Sequence, residues 1–386
     1  MPAFQLKLFL VLAFKTLFRT RGTDGRLTPK RLFVLLVMFP AWLLTLLTNW
    51  IGLWLDEILF RGYRQQIVER PLFIVGPPRT GSTLLQRLLA GDGQFSSMKT
   101  WEVLFAPSVT QKLFWNGVGA VDRRLGRPLG RLVVAFEGWA FRDFNGMHPF
   151  GLFEPEEDDP ILHNIFATGF AALVLPFRED LLPLVFFDEH MSAASQRKIM
   201  AFYRRCVQRH LYVFGRTRRF LSKNPSFSFK IDAVRRAFPD ARIVCMVRTP
   251  LETVPSTFSF LSYFYDVFCS RREDSPSQAF IHELLSAWYR YPVPKMKEMP
   301  EDQHRVVRYD ALVADPGAVA LECIERLGYH GDAATRAWLV AETEKARGFR
   351  SGHRYTYDEI ALSPAQIAID YADVMGEYGF QAGEAD

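Results

Sequence analysis

The spacing of apolar residues changes character along the chain, and each change predicts a different element. From Leu32 to Leu55, 24 residues pass without a charge, more than the ~20 needed to cross a bilayer. Trp42, Trp50 and Trp54 add aromatics of the kind found at membrane interfaces. Ahead of this run, Phe4 to Phe18 is apolar but interrupted by Lys7 and Lys15, the pattern of an interfacial amphipathic helix. Further on the runs shorten. Phe73 to Val75 suits a buried parallel strand, and Leu84, Leu85, Leu88 and Leu89 then recur on one helical face. Ile243 to Val247 repeats the theme, with Pro250 at the start of the next helix. With strands near 72–75, 219–222, 243–247 and 305–309, the pattern predicts a three-layer α/β, P-loop-like domain with a mainly parallel sheet and helices on both faces. Residues 1–65 read as a membrane-associating helical segment and 66–386 as the α/β domain. A helical insertion over about 94–212, rich in Phe and Leu, would shape a pocket.

The turns after the strands carry the chemistry. Between the strand at 73–75 and its helix lies Gly76-Pro-Pro-Arg-Thr-Gly-Ser-Thr83. Backbone N–H groups released by Gly76 and Gly81, with the hydroxyls of Thr80, Ser82 and Thr83, would converge on a phosphate at the helix N-terminus, where the dipole favours anions. A Walker A loop would place lysine where Ser82 stands, and here the loop's cation is Arg79. The Mg²⁺ ligands and lysine of a kinase are not assured. In the second turn, Arg248 ends a strand at the rim where open α/β sheets bind ligands. Ser256, eight residues on, stands about two turns into the helix. This pair suits a second phosphate. Taken singly, each segment has a plain structural reading as well: a glycine turn, a surface arginine, a helix serine.

Together these segments resemble the sulfotransferases that use 3′-phosphoadenosine 5′-phosphosulfate (PAPS). The family's P-[KR]-[ST]-G-[ST]-[ST] loop corresponds to Pro78, Arg79, Thr80, Gly81, Ser82 and Thr83. Its R-x-P with a serine eight residues after the arginine corresponds to Arg248, Pro250 and Ser256. The resemblance implies that the first group binds the 5′-phosphosulfate and the second the 3′-phosphate. RFLSKNP, from Arg219 to Pro225, is similar to the strand whose lysine, here Lys223, lies beside the transferring sulfuryl group. VVRYDALVADP, from Val306 to Pro316, is similar to a later strand and helix start. GHRYTY, from Gly352 to Tyr357, is similar to the loop that closes over the nucleotide in membrane-associated bacterial members. His353 and Tyr355 would close that loop and Arg350 would reach the 3′-phosphate. The implied reaction moves a sulfuryl group from PAPS to a hydroxyl or amine acceptor, releases 3′,5′-adenosine bisphosphate and requires no metal. The histidines outside these motifs show no shared metal spacing.

Charge and cysteine content narrow the setting. Residues 1–31 hold seven Lys and Arg against Asp24, a net of +6 in a chain of net +5, which leaves −1 for the remainder. The basic pI of about 9.0 therefore belongs to the N-terminus. That pattern points to an anionic membrane surface and away from nucleic acid, because no basic groove interleaved with aromatics appears elsewhere. Cys206, Cys245, Cys269 and Cys323 show no CxxC spacing and read as buried or free thiols of a reducing compartment. The basic flank before Leu32 would send a domain beyond a single span outward. Against export, Asn224 of the one N-x-S sequence is followed by proline, and only about fifteen residues separate Leu55 from the phosphate-loop segment that begins at Pro71. Pro40 would allow an in-plane or re-entrant hairpin. A monotopic enzyme facing the cytosol is the favoured reading, with a type II lumenal protein as the alternative. An apolar insertion beside a membrane favours a lipid or amphipathic alcohol as acceptor.

Arg79 and Lys223 are the candidates for stabilising the leaving phosphate and the bridging oxygen. Three candidates stand for the base. Cytosolic family members carry a histidine two residues after the strand lysine, where this chain has Pro225. Members acting on glycosaminoglycans and tyrosyl proteins carry a glutamate about twenty residues beyond the loop, where this chain has Glu102, between Trp101 and Phe105. The rivals are His148 and the acidic cluster before Pro160, in which Glu156 or Glu157 could orient an acceptor. Two readings from other classes also remain open: a P-loop kinase-like phosphotransferase and a non-catalytic membrane scaffold.

Overall fold

A computed structural model describes residues 3–91, 93–140, 151–270, 276–346 and 362–381. Five strands, β1 (Leu72–Val75), β2 (Phe95–Ser96), β3 (Arg219–Lys223), β4 (Arg242–Val247) and β5 (His304–Arg308), form one sheet in the order β2-β3-β1-β4-β5. All neighbouring pairs are parallel. Every residue of β1 and β4 is buried, which is why both read as continuous apolar runs rather than alternating ones. Four strands fall within a residue of their expected positions. The fifth, β2, pairs Phe95 with Arg219 and Ser96 with Phe220. Two residues are too few to show a period, so this edge lies inside the stretch expected to be insertion.

Alternate residues of the central strands feed two cores, one on each face. Phe73, Val75, Ile243, Cys245 and Val247 join the larger core, while Leu72, Ile74, Val244 and Met246 join the smaller. The first long surface helices are α1 (Leu6–Phe18) and α2 (Pro29–Leu59). Helix α3 (Ser82–Ala90) lays Leu85, Leu88 and Leu89 on the smaller core, and burying each such leucine is worth about 2 kcal/mol. The described residues between 97 and 214 are mainly helical, including α4 (Thr100–Phe105), α5 (Val109–Arg124), α6 (Pro128–Ala140) and α7 (Ala193–Phe214). Helix α8 (Pro250–Phe268) follows β4. The four cysteines are buried and unpaired.

Helix α2 is the one helix among the described residues long and apolar enough to cross a membrane. It is unbroken through Pro40, so the hairpin that this proline would have allowed does not form. Both of its ends are bound to the body of the protein. At the N-terminal end the Thr28 hydroxyl caps the Arg31 N–H and lies 2.8 Å from Ser270 Oγ, and buried Arg31 donates to the carbonyls of Val174 and Phe268. Toward the C-terminal end Asn49 donates to Leu104 O and Asn164 Oδ1, and Asp56 accepts from the N–H groups of Val109 and Thr110 and from Arg209.

With β3 on one side of β1 and β4 on the other, the strand order reverses about β1, and the carboxyl ends of the three parallel strands bring Val75, Lys223 and Val247 to one edge. Open α/β sheets bind ligands at such a switch point.

Candidate active site

The loop leaving β1 owes its shape to two glycines. Gly76 has φ +113°, and a Cβ there would lie 2.2 Å from Met246 O on β4, so only glycine lets the chain pass. Gly81 has φ +80°, with the Tyr309 ring where a Cβ would stand. Between them Arg79 also lies in the left-handed region at φ +66°, a conformation that costs a non-glycine residue about 1 kcal/mol or more. The expected division of labour shifts in two places. The Gly76 N–H donates to Ser228 Oγ at 2.9 Å, and the Thr80 hydroxyl, fully buried, donates to Pro77 O at 2.8 Å. Both groups therefore brace the loop instead of pointing donors at an anion. Among the described residues no side chain caps the start of α3. Its N-cap is Gly81, with no side-chain cap, whereas α2, α5 and α7 are capped by Thr28, Ser108 and Ser192. The first-turn N–H groups of α3 have no intrahelical acceptor, and an anion is their natural partner.

The second motif closes onto the first. Arg79 Nε donates to Ser256 Oγ at 3.1 Å, Arg248 Nη1 donates to Arg79 O at 3.2 Å, and Thr257 Oγ1 donates to Pro78 O at 3.3 Å. Ser256 is two turns into α8, as its spacing from Pro250 predicts. Arg248 is aimed by three neighbours: Glu252, one turn along α8, takes its Nε; the Tyr309 ring lies 4.2 Å from its guanidinium; and Tyr289 donates to its carbonyl at 2.7 Å. Tyr309 and Glu252 thus shape the site although sequence spacing gave neither a role. The one signal was the tyrosine in VVRYD after β5.

Lys223 ends β3 opposite Ile74, two residues before the loop begins. Its ammonium donates to Glu156 Oε1 and Glu157 Oε1, each at 3.1 Å. Burial works against its charge, but the two carboxylates outweigh burial and raise its pKa above the ordinary lysine value. The four consecutive acids do not form one solvated run. Glu156 and Glu157 face Lys223, while Asp158 and Asp159 turn inward. Asp158 accepts from Tyr203, Ser222 and Asn224, and burial pushes it up to about 6. Asp159 pairs with buried Lys230 and accepts from Thr168 and Gly169.

Glu102 stands in a different setting from the one its spacing suggests. Its side chain is 2% exposed. One oxygen lies 2.8 Å from His210 Nδ1 and 3.4 Å from the Lys112 ammonium, and the other accepts the Lys99 N–H at the start of its own helix. Burial alone would raise its pKa, but His210 and Lys112 overturn that and hold it at about 2. His210 Nε2 in turn meets Ser96 Oγ at 2.8 Å. Of the other sequence candidates, His148, Arg350, His353 and Tyr355 lie outside the described residues. Among the described residues no group of three His, Cys, Asp or Glu is placed to hold a metal ion.

A helix N-terminus without a side-chain cap, two arginines interlocked with a serine, and a lysine held between carboxylates gather at the carboxyl ends of the central strands. The sulfotransferase family profile matches residues 71–332, more than half of the chain. The chain belongs to the sulfotransferase family. This sulfotransferase is 24% identical over 356 residues to omega-hydroxy-beta-dihydromenaquinone-9 sulfotransferase Stf3 of Mycobacterium bovis, covering 84% of this chain and 85% of the relative. The protein of the same name from Mycobacterium tuberculosis matches to the same extent. Among solved structures, sulfotransferase STF9 from Mycobacterium avium superposes with a TM-score of 0.73 at 18% identity, covering 98% of this chain and 97% of that one. Sulfotransferase STF1 from Mycobacterium tuberculosis gives 0.66 at 18% identity, covering 95% and 91%. These likenesses confirm the α/β fold over nearly the whole chain, and family membership decides against the phosphotransferase and scaffold alternatives.

Proposed function

We propose that this sulfotransferase moves the sulfuryl group of PAPS to a hydroxyl of an amphipathic, lipid-like acceptor at a membrane surface. The observation that carries the donor assignment is the interlock of Arg79, Ser256 and Arg248 above the uncapped α3. It offers one cation and a helix N-terminus to the phosphosulfate and a second arginine to another phosphate. PAPS would supply a sulfuryl group already activated by its bond to a phosphate. The chain's residues supply the rest. Arg79 and the α3 amides hold the departing phosphate's growing charge. Lys223 has three N–H donors, two of them engaged by Glu156 and Glu157, which leaves the third for the bridging oxygen. As the acceptor oxygen bonds to sulfur and the sulfur–phosphate oxygen bond breaks, the acceptor's proton passes to a carboxylate. Glu157 is our choice of base, because Glu156 Oε1 also accepts the Glu157 N–H and serves better to orient the pair.

The acceptor class follows from α2. A helix of 31 residues is about 46 Å long, and its two ends are tied by buried hydrogen bonds to one folded body. It therefore lies along that body and presents Leu36, Leu43, Leu44, Leu47, Trp54 and Ile58 outward, as a monotopic protein resting in one leaflet does. The net of +6 at residues 1–31 fits an anionic cytosolic leaflet. The Stf3 relative is named for a menaquinone-derived, hydroxyl-bearing substrate, the same chemical class.

The test is a thermal-shift titration of the detergent-solubilised protein with 3′,5′-adenosine bisphosphate, with Mg-ATP as the comparison. A ligand at 100 times its Kd adds about 2.7 kcal/mol. Stabilisation by the bisphosphate, lost in Arg248→Ala, is expected. An equal response to Mg-ATP, or an unchanged response in Arg248→Ala, would overturn the donor assignment. Labelled PAPS offered with hydroxylated isoprenoid lipids and with soluble phenols or sugars then tests the acceptor, and transfer confined to the soluble set would remove the lipid reading.

A further inference from the structure

Outside the N-terminus the chain is close to neutral, yet the fold collects a second basic locus. Helices α5 and α6 form a hairpin whose turn carries Arg123, Arg124, Arg127 and Arg131, all exposed. Gly126 and Arg127 turn the chain with φ +81° and +61°. The only acid between residues 109 and 136 is Asp122. It is buried and spent on the hairpin itself, accepting the N–H groups of Leu129 and Gly130 at the start of α6. None of the four arginines forms an ion pair among the described residues.

The rest of the hairpin is apolar where a soluble protein would be polar. Leu125 is 70% exposed and Trp139 72%, and Phe114, Trp115, Leu132, Val134 and Phe136 are also outside. A cleft of about 490 Å³ between the helices is lined by Leu113, Phe114, Val121, Leu125, Pro128 and Leu129. Monomeric soluble proteins rarely leave such patches uncovered. The hairpin is rigidly set on the body: Asp56 of α2 accepts the first two N–H groups of α5, and buried Lys112 pairs with Glu102.

We propose that the α5–α6 hairpin is a second membrane contact, its apolar sides entering the acyl region of an anionic leaflet while its arginines bind lipid phosphates. The inference rests on the membrane reading above and adds to it a segment and a depth. Charge chooses this occupant over a second copy of the chain. Two copies of this tip would set eight arginines together, a like-charge juxtaposition that opposes association, whereas anionic lipid answers them. Apolar flanks with a basic tip are the composition of segments that lie at the headgroup boundary.

The experiment uses the full chain with phosphatidylcholine vesicles, with and without phosphatidylglycerol. Its readout is flotation, together with the emission of an environment-sensitive dye on Leu125→Cys, which labels selectively because the native cysteines are buried. Each arginine near an anionic leaflet is worth about fivefold in partitioning. The triple variant Arg123→Gln, Arg124→Gln, Arg127→Asn should therefore lose roughly 100-fold on anionic vesicles at an unchanged Tm, and the dye should shift to the blue on binding. Leu125→Ser should weaken binding without that charge dependence, which covers the case of a triple variant that folds poorly. A triple variant that floats like the native protein, or a dye that stays aqueous on vesicle-bound protein, overturns the hairpin contact while leaving the α1–α2 surface standing. Native protein that floats with neither vesicle removes both readings. A vesicle-free dimer that dissociates in the triple variant gives the hairpin to a second copy instead.

Discussion

Two carboxylate–lysine arrangements lie side by side in this molecule and differ in one respect, access. Residues 98–101 run beside 152–156, joined by the Lys99–Pro155 bridge and by hydrogen bonds from Thr100, Trp101 and Glu156, so Glu102 and the Glu156–Glu157 pair grow from adjoining backbone. Around Glu102 the carboxylate, its lysine and its histidine are all sealed from solvent. Around Lys223 only the lysine is sealed, and Glu157 keeps 20% of its side chain exposed. A buried charge with both oxygens engaged is a fixed structural element, and moving a proton onto it would break the network that holds it. A partly exposed carboxylate at the surface is reachable by a substrate that could hand it a proton. The comparison teaches that spacing from the loop led to Glu102 but could not show that it is sealed while the adjoining Glu156–Glu157 pair is partly open.

The largest effect that would break this comparison is on rate. Glu157→Gln should lower kcat/KM by about 10²–10⁴, the usual contribution of a general base, with Tm nearly unchanged because the side chain is partly exposed. Glu156→Gln should lose less. If Glu157→Gln retained native activity, the open pair would not be the base and the contrast would fail.

The next effect is on stability. Glu102→Gln leaves the Lys112 ammonium buried beside a neutral amide, and breaking a buried pair in this way costs about 3–5 kcal/mol. Denaturant melts should show that loss at pH 7, while kcat of the folded fraction stays within a few-fold of native. The pH dependence fixes the cause. Glu102 is held at about 2 against an ordinary 4.5, so its contribution, about 3 kcal/mol for a shift of that size, is complete above pH 4.5. It is lost as pH falls through 2. The native and Glu102→Gln curves should therefore converge toward pH 2. A variant as stable as native but slower by 10² or more would instead make Glu102 the base and invert the comparison.

The loop, Arg248 and Ser256 were legible in the sequence because their chemistry is local: glycines, a strand end and a helix start within a few residues define the cradle. The four longer strands were legible for the same reason, as unbroken apolar runs. What escaped was set by partners far along the chain. Nothing near Glu102 announces that His210, from α7, and Lys112, from α5, will close over it. The acids from Glu156 to Asp159 look alike until Lys223, Tyr203 and Lys230 divide them. The bracing of Gly76 by Ser228 and the seat of Arg248 on Tyr309 likewise join elements that only the folded sheet brings together. The arginines of the α5–α6 turn were hidden in a net charge near zero, because the acids that balance them in the sum lie elsewhere in space.

The smallest effect probes whether the sealed network stays separate from the chemistry. Ser96 Oγ meets His210 Nε2 at the outer end of the chain that runs through Glu102 to Lys112. Ser96→Ala removes one buried hydrogen bond and leaves a ring nitrogen without its partner, at a cost of about 1–2 kcal/mol. If the network only holds α4 and α7 against the sheet edge, Tm falls by a few degrees and the pH profile of kcat/KM keeps its shape. A displaced acid limb would mean that the histidine and Glu102 exchange charge with the reacting groups after all. Depth of burial would then be a poor guide to which carboxylate works, and the acceptor would have to approach from the β2 side of the sheet, where Ser96 stands, instead of across Lys223.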